Sequence, residues 1–475
     1  MNWFRGKKRD DGGAKPPDWS VGRPLMHLTD RDIWTLGDSF EGLQVFGASG
    51  SGKTSGSGAL LATNLLKIGI GGLVLTAKPD EPVLWKGYAK EAKRPENDIV
   101  LFPDPDKPQA FDFLTYETAK NPHATSRDLA SLFVTAARIS RPRQAVSIAD
   151  YWEGAMKRLV QESLELLMAA GQVSVGNLRR VADKVAYMDP VEWAEFRDEL
   201  LESKVIDEGV EAVLRYFEKR LPRVPDRQRE GFIDPFFTLL RTFESGILAQ
   251  VFACGKADGA VDPSRCLTER KVIVMSLPTA LNPSDGRIVQ VLYKIVWQRA
   301  MQRRAYAEPE VDRPPAFLWA DESQVFASPG DAEFQQFARS NRIATIYLTQ
   351  NLSNYLHYLE DNQVRSLLGN LQTKIFHANG DPETNRFAVD TIGERHRLEF
   401  NIRRGEERRL EIELEKSTDR RQIDSARFTM LRKGGVGNNR EVDGVVFQAG
   451  RTWSNGNNWL QVTFKQSGRA DGEAG

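Results

Sequence analysis

The chain has 475 residues, of which 40% are hydrophobic and 27% charged, the composition of an ordinary globular protein. Its 65 Lys and Arg residues equal its 65 Asp and Glu residues, so net charge excludes a strongly basic or acidic protein and predicts no particular partner. Two cysteines, Cys254 and Cys266, are too few for a disulfide framework, and no CxxC or HExxH spacing indicates a transition-metal site.

The N-terminal residues 1–22 are polar and rich in Gly and Pro, which predicts a disordered tail rather than a signal peptide. Apolar runs follow at 43–47, 72–76 and 99–102, with helix-compatible sequence between them. This alternation predicts parallel strands joined by helical crossovers. Residues 23–114 are therefore assigned to the first part of an α/β domain.

Helical periodicity replaces the strand signals from about residue 115 onward. The segments Tyr151–Ala169 and Val210–Leu221 carry apolar residues at the spacing of one helix face. We therefore predict an all-α domain inserted over residues 115–256.

Strand and helix signals alternate again over residues 257–395, which we assign to the second part of the α/β domain. Residues 396–475 form a charged C-terminal segment that ends in a β-hairpin around the turn SNGNN. The elements predicted in these two regions are Lys271–Leu277, Asp285–Gln302, Ala316–Ala320, Asp331–Arg342, Ile343–Leu348, Thr373–Ala378, Val442–Ala449 and Trp459–Phe464.

The segment GASGSGKT matches the P-loop (Walker A) pattern G-x-x-x-x-G-K-[ST]. It lies between a predicted strand and a predicted helix, a context that a Gly/Ser-rich linker would lack. Its glycines allow successive backbone N–H groups to converge on a phosphate, while Lys53 would reach the β- and γ-phosphates and the Thr54 hydroxyl would bind Mg²⁺. We predict that ATP binds at Gly47, Ala48, Ser49, Gly50, Ser51, Gly52, Lys53, Thr54 and Ser55, with Mg²⁺ as its cofactor.

A P-loop enzyme also needs an acidic strand end, and AFLWADE supplies one. Asp321 would hold Mg²⁺ together with Thr54, and Glu322 would polarise the attacking water as a general base. The alternative is an Asp-Glu pair at the start of a helix, where the helix dipole favours acids.

Three polar residues further along complete the predicted catalytic set. Gln350 follows the next apolar strand, IYLT, where it would sense the γ-phosphate. Arg339 and Arg342 lie between the two strands, where either would serve as an arginine finger in a neighbouring subunit, or simply form a solvated helix face.

The order of these motifs resembles the type IV coupling proteins of conjugation and type IV secretion, the TraG/TraD group. The segment NLQTKIFHANGDPETNRF after Gln350 carries much of the likeness, through Asn370, Thr373, Lys374, Ile375 and Phe376, and then Gly380, Asp381, Pro382, Glu383 and Thr384. The segments that begin at Tyr151 and at Phe237 resemble helices of that family's all-α domain.

The resemblance implies a RecA-like P-loop motor of the FtsK/HerA kind, with a central, mostly parallel sheet and an inserted all-α domain. It also implies a homo-hexameric ring with DNA in a central channel, and contacts with a relaxase or relaxosome and with secretion-channel proteins. Arg339 falls at the family's arginine-finger position and Gln350 at its sensor position.

Two departures from the family's pattern affect the expected localisation and coupling. The family usually carries two N-terminal transmembrane helices, whereas this sequence has no apolar run long enough to span a membrane. We expect a cytoplasmic protein that reaches the inner membrane only through a partner. The strand after the P-loop helix ends in TAKPDE instead of a DPKGE-like turn, so that Thr76 replaces an acid while Lys78 is retained.

Three functions remain open at this point: a coupling-protein-like ATP-driven DNA motor, a cytoplasmic FtsK/HerA-type translocase in plasmid maintenance or defence, and a docking receptor without catalysis. The intact Lys53, Thr54, Asp321 and Glu322 favour an ATP hydrolase. The basic stretches that would contact DNA, or equally form solvated surfaces, are ARISRPRQ (Arg138, Arg141, Arg143), Lys219–Arg229 and residues 391–440.

Overall fold

The computed structural model describes residues 18–104, 106–107, 109–139, 149–187, 189–202, 204–244, 246–252, 255–304, 313–404 and 410–466. The chain divides into two compact units. The helix-rich unit contains the described residues of Ile70–Lys90 and Pro95–Ala316, and the P-loop unit those of Lys15–Gly69, Glu91–Arg94 and Phe317–Gly475.

The strands and helices in the described residues have the following bounds. The strands are β1 (Pro24–His27), β2 (Ile33–Thr35), β3 (Leu43–Phe46), β4 (Gly71–Leu75), β5 (Ile99–Phe102), β6 (Val272–Met275), β7 (Ala316–Ala320), β8 (Ile343–Thr349), β9 (Thr373–His377), β10 (Glu394–Arg404), β11 (Leu410–Arg421), β12 (Glu441–Gln448) and β13 (Trp459–Lys465). The α-helices are α1 (Leu36–Ser39), α2 (Ala59–Lys67), α3 (Glu81–Glu91), α4 (Phe113–Lys120), α5 (Ser126–Ile139), α6 (Ala149–Ala170), α7 (Val175–Tyr187), α8 (Pro190–Leu200), α9 (Glu208–Arg215), α10 (Asp226–Thr242), α11 (Gly246–Phe252), α12 (Arg265–Thr268), α13 (Asp285–Arg303), α14 (Asp331–Ala338), α15 (Ser353–Tyr358), α16 (Asp361–Asn370), α17 (Pro382–Ile392) and α18 (Ala426–Thr429).

The P-loop unit is built on strands in the order β13-β12-β9-β3-β8-β7. β3 pairs in parallel with β8 and β9, whereas β12 runs antiparallel to both β9 and β13. Every residue of β3, β7, β8 and β9 is buried, which explains why β7 and most of β8 appear in the sequence as apolar runs, whereas β9 (TKIFH) buries three polar side chains. The carboxyl ends of parallel strands meet at one edge of a sheet, and there β3 leads into the P-loop and β8 into Gln350.

The helix-rich unit contains β6 with β4 and β5 paired in parallel on either side. Its regular elements between residues 113 and 252 are all helical in the described part of the chain. A cluster of four rings, Phe113, Phe133, Phe243 and Phe252, packs where these helices meet. Glu117 is almost fully buried, but its carboxylate accepts a 2.9 Å hydrogen bond from Arg303, which offsets the cost of burying the charge.

The predicted fold class, a RecA-like α/β P-loop fold with a mostly parallel sheet and an inserted helical region, is confirmed. The helix predicted over Asp331–Arg342 is too long, because α14 ends at Ala338 and Arg342 has a left-handed backbone, with φ of +53°. The boundaries assigned to the separate domains stay a prediction. No helix among the described residues combines the length and apolarity needed to cross a membrane.

Two strands and a short helix, α18, in the charged C-terminal region were not predicted. β10 and β11 form a long antiparallel pair, in which Ile402 faces Ile412 and Phe400 faces Leu414 in the backbone register. Apolar residues recur at every second position in both segments, as in Leu398, Phe400 and Ile402. The prediction considered only the high charge content of the region and therefore missed this strand pattern.

Candidate functional site

Two glycines of the candidate phosphate-binding loop lie where neighbouring atoms are very close to the backbone. Gly52 has a φ of +84°, and a Cβ atom there would lie 2.4 Å from a methyl group of Val442. A Cβ atom on Gly47 would lie 2.4 Å from Oγ of Ser51. A larger residue at Gly52 would therefore be strained by the positive φ and would push the loop away from Val442, whereas one at Gly47 would require the Ser51 hydroxyl to turn away.

The start of the loop is fixed by backbone hydrogen bonds to the neighbouring strands. The N–H of Gly47 donates to the Thr349 carbonyl at 3.2 Å, and the N–H of Ala48 donates to the Ala378 carbonyl at 3.0 Å. Further along the loop, Ser51 is fully buried and its Oγ atom has no hydrogen-bond partner among the described residues. A buried hydroxyl of this kind fits a loop that completes its hydrogen bonds with a phosphate ligand.

Two predicted metal ligands lie together at the loop's end. The Thr54 hydroxyl donates to Oδ2 of Asp321 at 2.9 Å, and Oδ1 of Asp321 accepts the N–H of Glu322 at 3.0 Å. Hydroxyl and carboxylate oxygens are the ligands that Mg²⁺ prefers, usually with several of its waters retained. The residues present thus fit a magnesium ion.

Glu322 is buried beside the P-loop cation. Its Oε1 atom lies 3.7 Å from Nζ of Lys53 and accepts a 3.2 Å hydrogen bond from Nε2 of Gln350. The Glu322 backbone is left-handed, with φ of +50° and ψ of +47°. Such a conformation in a non-glycine residue costs of order 1 kcal/mol or more and is concentrated at functional sites.

The acidic motif that follows β9 holds the loop carrying Gln350. Nδ2 of Asn379 donates to the Gln350 carbonyl at 2.8 Å, and the Leu352 N–H donates to Oγ1 of Thr384 at 2.8 Å. Asp381 caps α17 by accepting the Thr384 N–H, with Pro382 in the first turn. The NGDPET segment is therefore a structural support for the loop that carries Gln350.

His377 joins the helical turn Thr54–Gly58, which connects the P-loop to α2, to the C-terminal hairpin of β12 and β13. Its Nδ1 atom lies 2.9 Å from the Asp443 carbonyl and therefore carries the proton, so Nε2 accepts the Ser57 hydroxyl at 2.8 Å. Burial lowers the pKa of His377 to about 4, and the positive charge of Lys53 acts in the same direction. The imidazole is neutral at physiological pH.

The C-terminal hairpin, β12 and β13, packs directly on the start of the P-loop helix. Val442 and Phe464 are buried against Gly52 and Gly56, and Nε2 of Gln466 donates to Oγ of Ser55 at 2.6 Å. The hairpin predicted from the sequence thus supports the nucleotide loop, a role that its composition did not indicate.

The two candidate arginines have different environments, and neither lies at the P-loop edge. Arg339 follows α14 at the amino end of β8; its side chain is 74% exposed and makes a 3.1 Å ion pair with Glu41. Arg342 is half-buried, packs over the Phe40 ring and donates to the Trp19 carbonyl. Arg342 is therefore a structural anchor, whereas Arg339 is available to a neighbouring molecule.

The fold thus brings together five of the predicted site residues, namely Lys53, Thr54, Asp321, Glu322 and Gln350. It does not bring Arg339 to this group. The sequence analysis missed several residues that support this group. Gln324 contacts Glu322 and Asn379 contacts Gln350, while the Thr349 carbonyl accepts the N–H of Gly47 and His377 contacts Ser57. Their positions at or just after the ends of apolar strands were the available signal, because such ends gather at one edge of the sheet.

Solved structures with the same architecture include a plasmid coupling protein bound to nucleotides. The plasmid coupling protein TrwB bound to a non-hydrolysable GTP analogue matches with a TM-score of 0.61 at 14% identity, over 96% of this chain and 98% of that one. TrwB with ADP and Mg²⁺ matches with a TM-score of 0.59 at 14% identity, over 94% and 92% of the two chains. VirB4 of Thermoanaerobacter pseudethanolicus matches with a TM-score of 0.50 at 12% identity, over 95% and 97%.

A comparison with sequence families also relates this chain to the coupling proteins. Residues 315–427 match the family described as the TraM recognition site of TraD and TraG. The resemblance to the type IV coupling proteins is confirmed. No curated protein matches the chain in sequence. The matched segment begins at β7 and includes Asp321, Glu322 and Gln350, so the coupling-protein likeness and the candidate site overlap.

Proposed function

We propose that this protein is an ATP-hydrolysing DNA motor of the coupling-protein kind, acting in conjugative transfer or type IV secretion. The observation that carries the proposal is the assembly of Lys53, Thr54, Asp321, Glu322 and Gln350 at one buried edge of the sheet. TrwB, which shares this fold, has been solved with an ATP analogue and with ADP and Mg²⁺, and these structures support nucleotide binding by this protein.

Each residue in this group has a distinct task in hydrolysis. Lys53 and the loop N–H groups would bind the β- and γ-phosphates, and Thr54 with Asp321 would hold Mg²⁺, which neutralises phosphate charge when bound. Glu322 would accept a proton from the attacking water. Gln350, held through its carbonyl by Asn379, would report the presence of the γ-phosphate to the surrounding strands.

DNA is the proposed cargo, and a basic surface on the helix-rich unit supports it. Lys219, Arg220, Arg223 and Arg227 are all exposed within nine consecutive positions between α9 and the first turn of α10. Such a cluster would bind phosphates without reading sequence. Of the other candidate stretches, Arg141 and Arg143 lie outside the described residues, and the side chain of Arg138 is not described.

The proposed working unit is a homo-hexameric ring. Exposed Arg339 supports this assembly: it lies away from the P-loop edge of its own chain, and an adjacent subunit would compete only with a solvent-exposed ion pair to Glu41. Residues 315–427 would also contact the relaxosome, as the description of the matched family suggests. We propose a cytoplasmic location, with any attachment to the inner membrane made through a partner protein.

The experiment that tests this function is an ATPase assay with and without DNA. Purified protein should hydrolyse ATP, DNA of arbitrary sequence should stimulate the rate, and Lys53→Ala should abolish it. Hydrolysis that DNA does not affect would contradict the motor, and an inactive wild-type chain would support a docking receptor instead. The geometry of the site, with its paired Thr54 and Asp321, favours hydrolysis.

A further inference from the structure

The Glu322 carboxylate is held at both oxygens, and the two oxygens have donors of different kinds. Oε1 faces Lys53 at 3.7 Å and accepts from Gln350 at 3.2 Å. Oε2 accepts a 3.0 Å hydrogen bond from Nε2 of Gln324, two residues further along the chain. Lys53 and Gln350 are the groups expected to turn to the phosphates when nucleotide binds, whereas Gln324 has no such task.

The orientation of the Gln324 amide is determined by its two neighbours. The Thr349 hydroxyl donates to Oε1 of Gln324 at 2.7 Å, which leaves the amide N–H groups for Glu322. The reversed amide would place its carbonyl oxygen against a carboxylate oxygen, which is repulsive. Gln324 and Thr349 are both buried, so neither contact competes with solvent.

Thr349 connects this pair to the phosphate loop. Its carbonyl accepts the N–H of Gly47, the first residue of the P-loop motif, and Gln350 follows it directly. A short buried relay therefore runs from the loop through Thr349 and Gln324 to the carboxylate of Glu322.

We propose that Gln324 is the positioning residue for Glu322. It holds Oε2 in every nucleotide state, so that Oε1 is presented to water once Lys53 and Gln350 have moved to the phosphates. The inference deepens the proposed ATP hydrolysis and rests on it. Loss of Gln324 should leave nucleotide binding intact, because Gln324 donates to the base and not to the loop.

The test compares Gln324→Met, which keeps the length of the side chain, with the wild type and with Gln172→Met at an exposed position of the helix-rich unit. In Gln324→Met we expect kcat to fall about tenfold to a hundredfold, since removing a hydrogen bond to a charged group has an effect of that size, with KM and the Kd for ATP within about twofold. Thr349→Val should share this pattern and Thr349→Ser should recover most of the rate, which a merely structural role would not reproduce.

A pH profile provides a second signature that does not depend on packing. Gln324→Glu places a carboxylate against Glu322 at neutral pH, and only the protonated form of the introduced group can donate to Oε2. The ratio of its kcat to that of the wild type should therefore rise as pH falls from 7.5 to about 5.5.

The outcomes separate the inference from the proposed function. A wild type with Lys53-dependent hydrolysis and an unchanged kcat in Gln324→Met would overturn the inference alone. Equal losses of kcat and of ATP affinity in Gln324→Met would do the same, because they would indicate damage to the loop. A wild type without Lys53-dependent hydrolysis would overturn both.

Discussion

Nζ of Lys53 lies 3.7 Å from Oε1 of Glu322, so the cation of the phosphate loop and the candidate base compensate each other's charge inside the protein. Both side chains are at most 10% exposed, which makes each dependent on the other until a phosphate arrives. Nucleotide binding should therefore exchange the Lys53–Glu322 pair for a Lys53–phosphate contact. The two residues should have separable effects on binding and on hydrolysis.

Lys53→Ala should reduce steady-state ATPase to background while the protein stays folded, because no other side chain of the loop can neutralise the β- and γ-phosphate oxygens. The measurement is phosphate release together with thermal unfolding. Lys67→Ala, at an exposed position of α2, is the matched control and should behave as the wild type. A Lys53→Ala variant that keeps most of the rate would disprove the P-loop assignment.

Glu322→Gln should bind ATP and fail to turn it over, because the metal ligands and Lys53 remain while the proton acceptor is removed. Nucleotide recovered with the protein after rapid gel filtration should be mainly ATP, whereas Lys53→Ala should retain little nucleotide. Glu333→Gln, on the exposed face of α14, is the control. Recovery of ADP from Glu322→Gln would show that another group activates the water.

Thr54 and Asp321 make a prediction about metal dependence. Thr54→Val keeps the side-chain shape but removes the hydroxyl that donates to Asp321. We expect the Mg²⁺ concentration that gives half-maximal ATPase activity to rise about tenfold or more. Losses of metal affinity of this size are usual when residues that hold or support the metal are replaced. Thr54→Ser retains the hydroxyl and should need no more Mg²⁺ than the wild type; an equal shift in both variants would refute the assignment.

Much of the fold could be predicted because its strands are buried on both faces. β7 coincides with the predicted Ala316–Ala320, since a continuous apolar run followed by Asp321 and Glu322 has few alternatives. The Gly-rich loop could also be predicted, because its residues are neighbours in sequence and phosphate binding depends on their spacing.

The supporting contacts could not be predicted, because they join residues that are distant in sequence. Ser57 and His377 are 320 positions apart, and no local pattern relates a serine in a Gly-rich segment to a histidine at the end of a strand. Gln324 belongs to no recognisable motif, since its orientation depends on the buried hydroxyl of Thr349, 25 residues further along the chain. Pairing between strands, rather than propensity, creates these contacts.

The low pKa of buried His377 leads us to predict that the free energy of unfolding depends on pH. Its folded-state pKa of about 4 lies below the usual value of about 6.5, so the unfolded chain binds more protons between these two values. Stability should therefore fall as pH is lowered through this window, by up to about 3 kcal/mol from this residue. Urea unfolding from pH 7.5 to 4.5 should show a flatter dependence for His377→Gln.

The exposed His357 provides the control for that experiment, because its ring lies on the surface of α15. His357→Gln should retain the wild-type dependence of the unfolding free energy on pH. If His377→Gln and the wild type lose stability in parallel between pH 6.5 and 4.5, the buried imidazole is not a source of the acid sensitivity.

The basic cluster predicts how DNA affinity responds to salt. Replacing Lys219, Arg220, Arg223 and Arg227 with Ala should weaken binding to DNA of any sequence and make the log–log salt dependence shallower by about 0.9 for each phosphate that the protein no longer neutralises. Fluorescence anisotropy over a KCl series measures both effects. Lys86→Ala with Lys90→Ala, two exposed lysines of α3, is the control pair. An unchanged slope in the fourfold variant would place the DNA path elsewhere.

The position of Arg339 leads us to predict that it assists hydrolysis of the ATP bound to an adjacent subunit. It follows α14 at the amino end of β8, and a strand of seven residues is about 20 Å long, so Arg339 is far from the nucleotide of its own chain. Arg339→Ala should bind ATP normally yet hydrolyse it on the order of a thousandfold more slowly. Arg342→Ala should instead lower the unfolding temperature, because Arg342 anchors Trp19 and packs on Phe40.

Mixing two inactive variants gives the decisive measurement for Arg339. In a ring assembled from Arg339→Ala and Lys53→Ala subunits, some interfaces pair an intact P-loop with an intact arginine, so part of the activity should return. The control is Arg365→Ala, at another exposed arginine, which should be active without a second variant. Two dead variants that never complement under subunit exchange would show that Arg339 is not the finger. Specific activity that stays constant down to the lowest protein concentration would indicate a working monomer, and the ring would then be wrong as well.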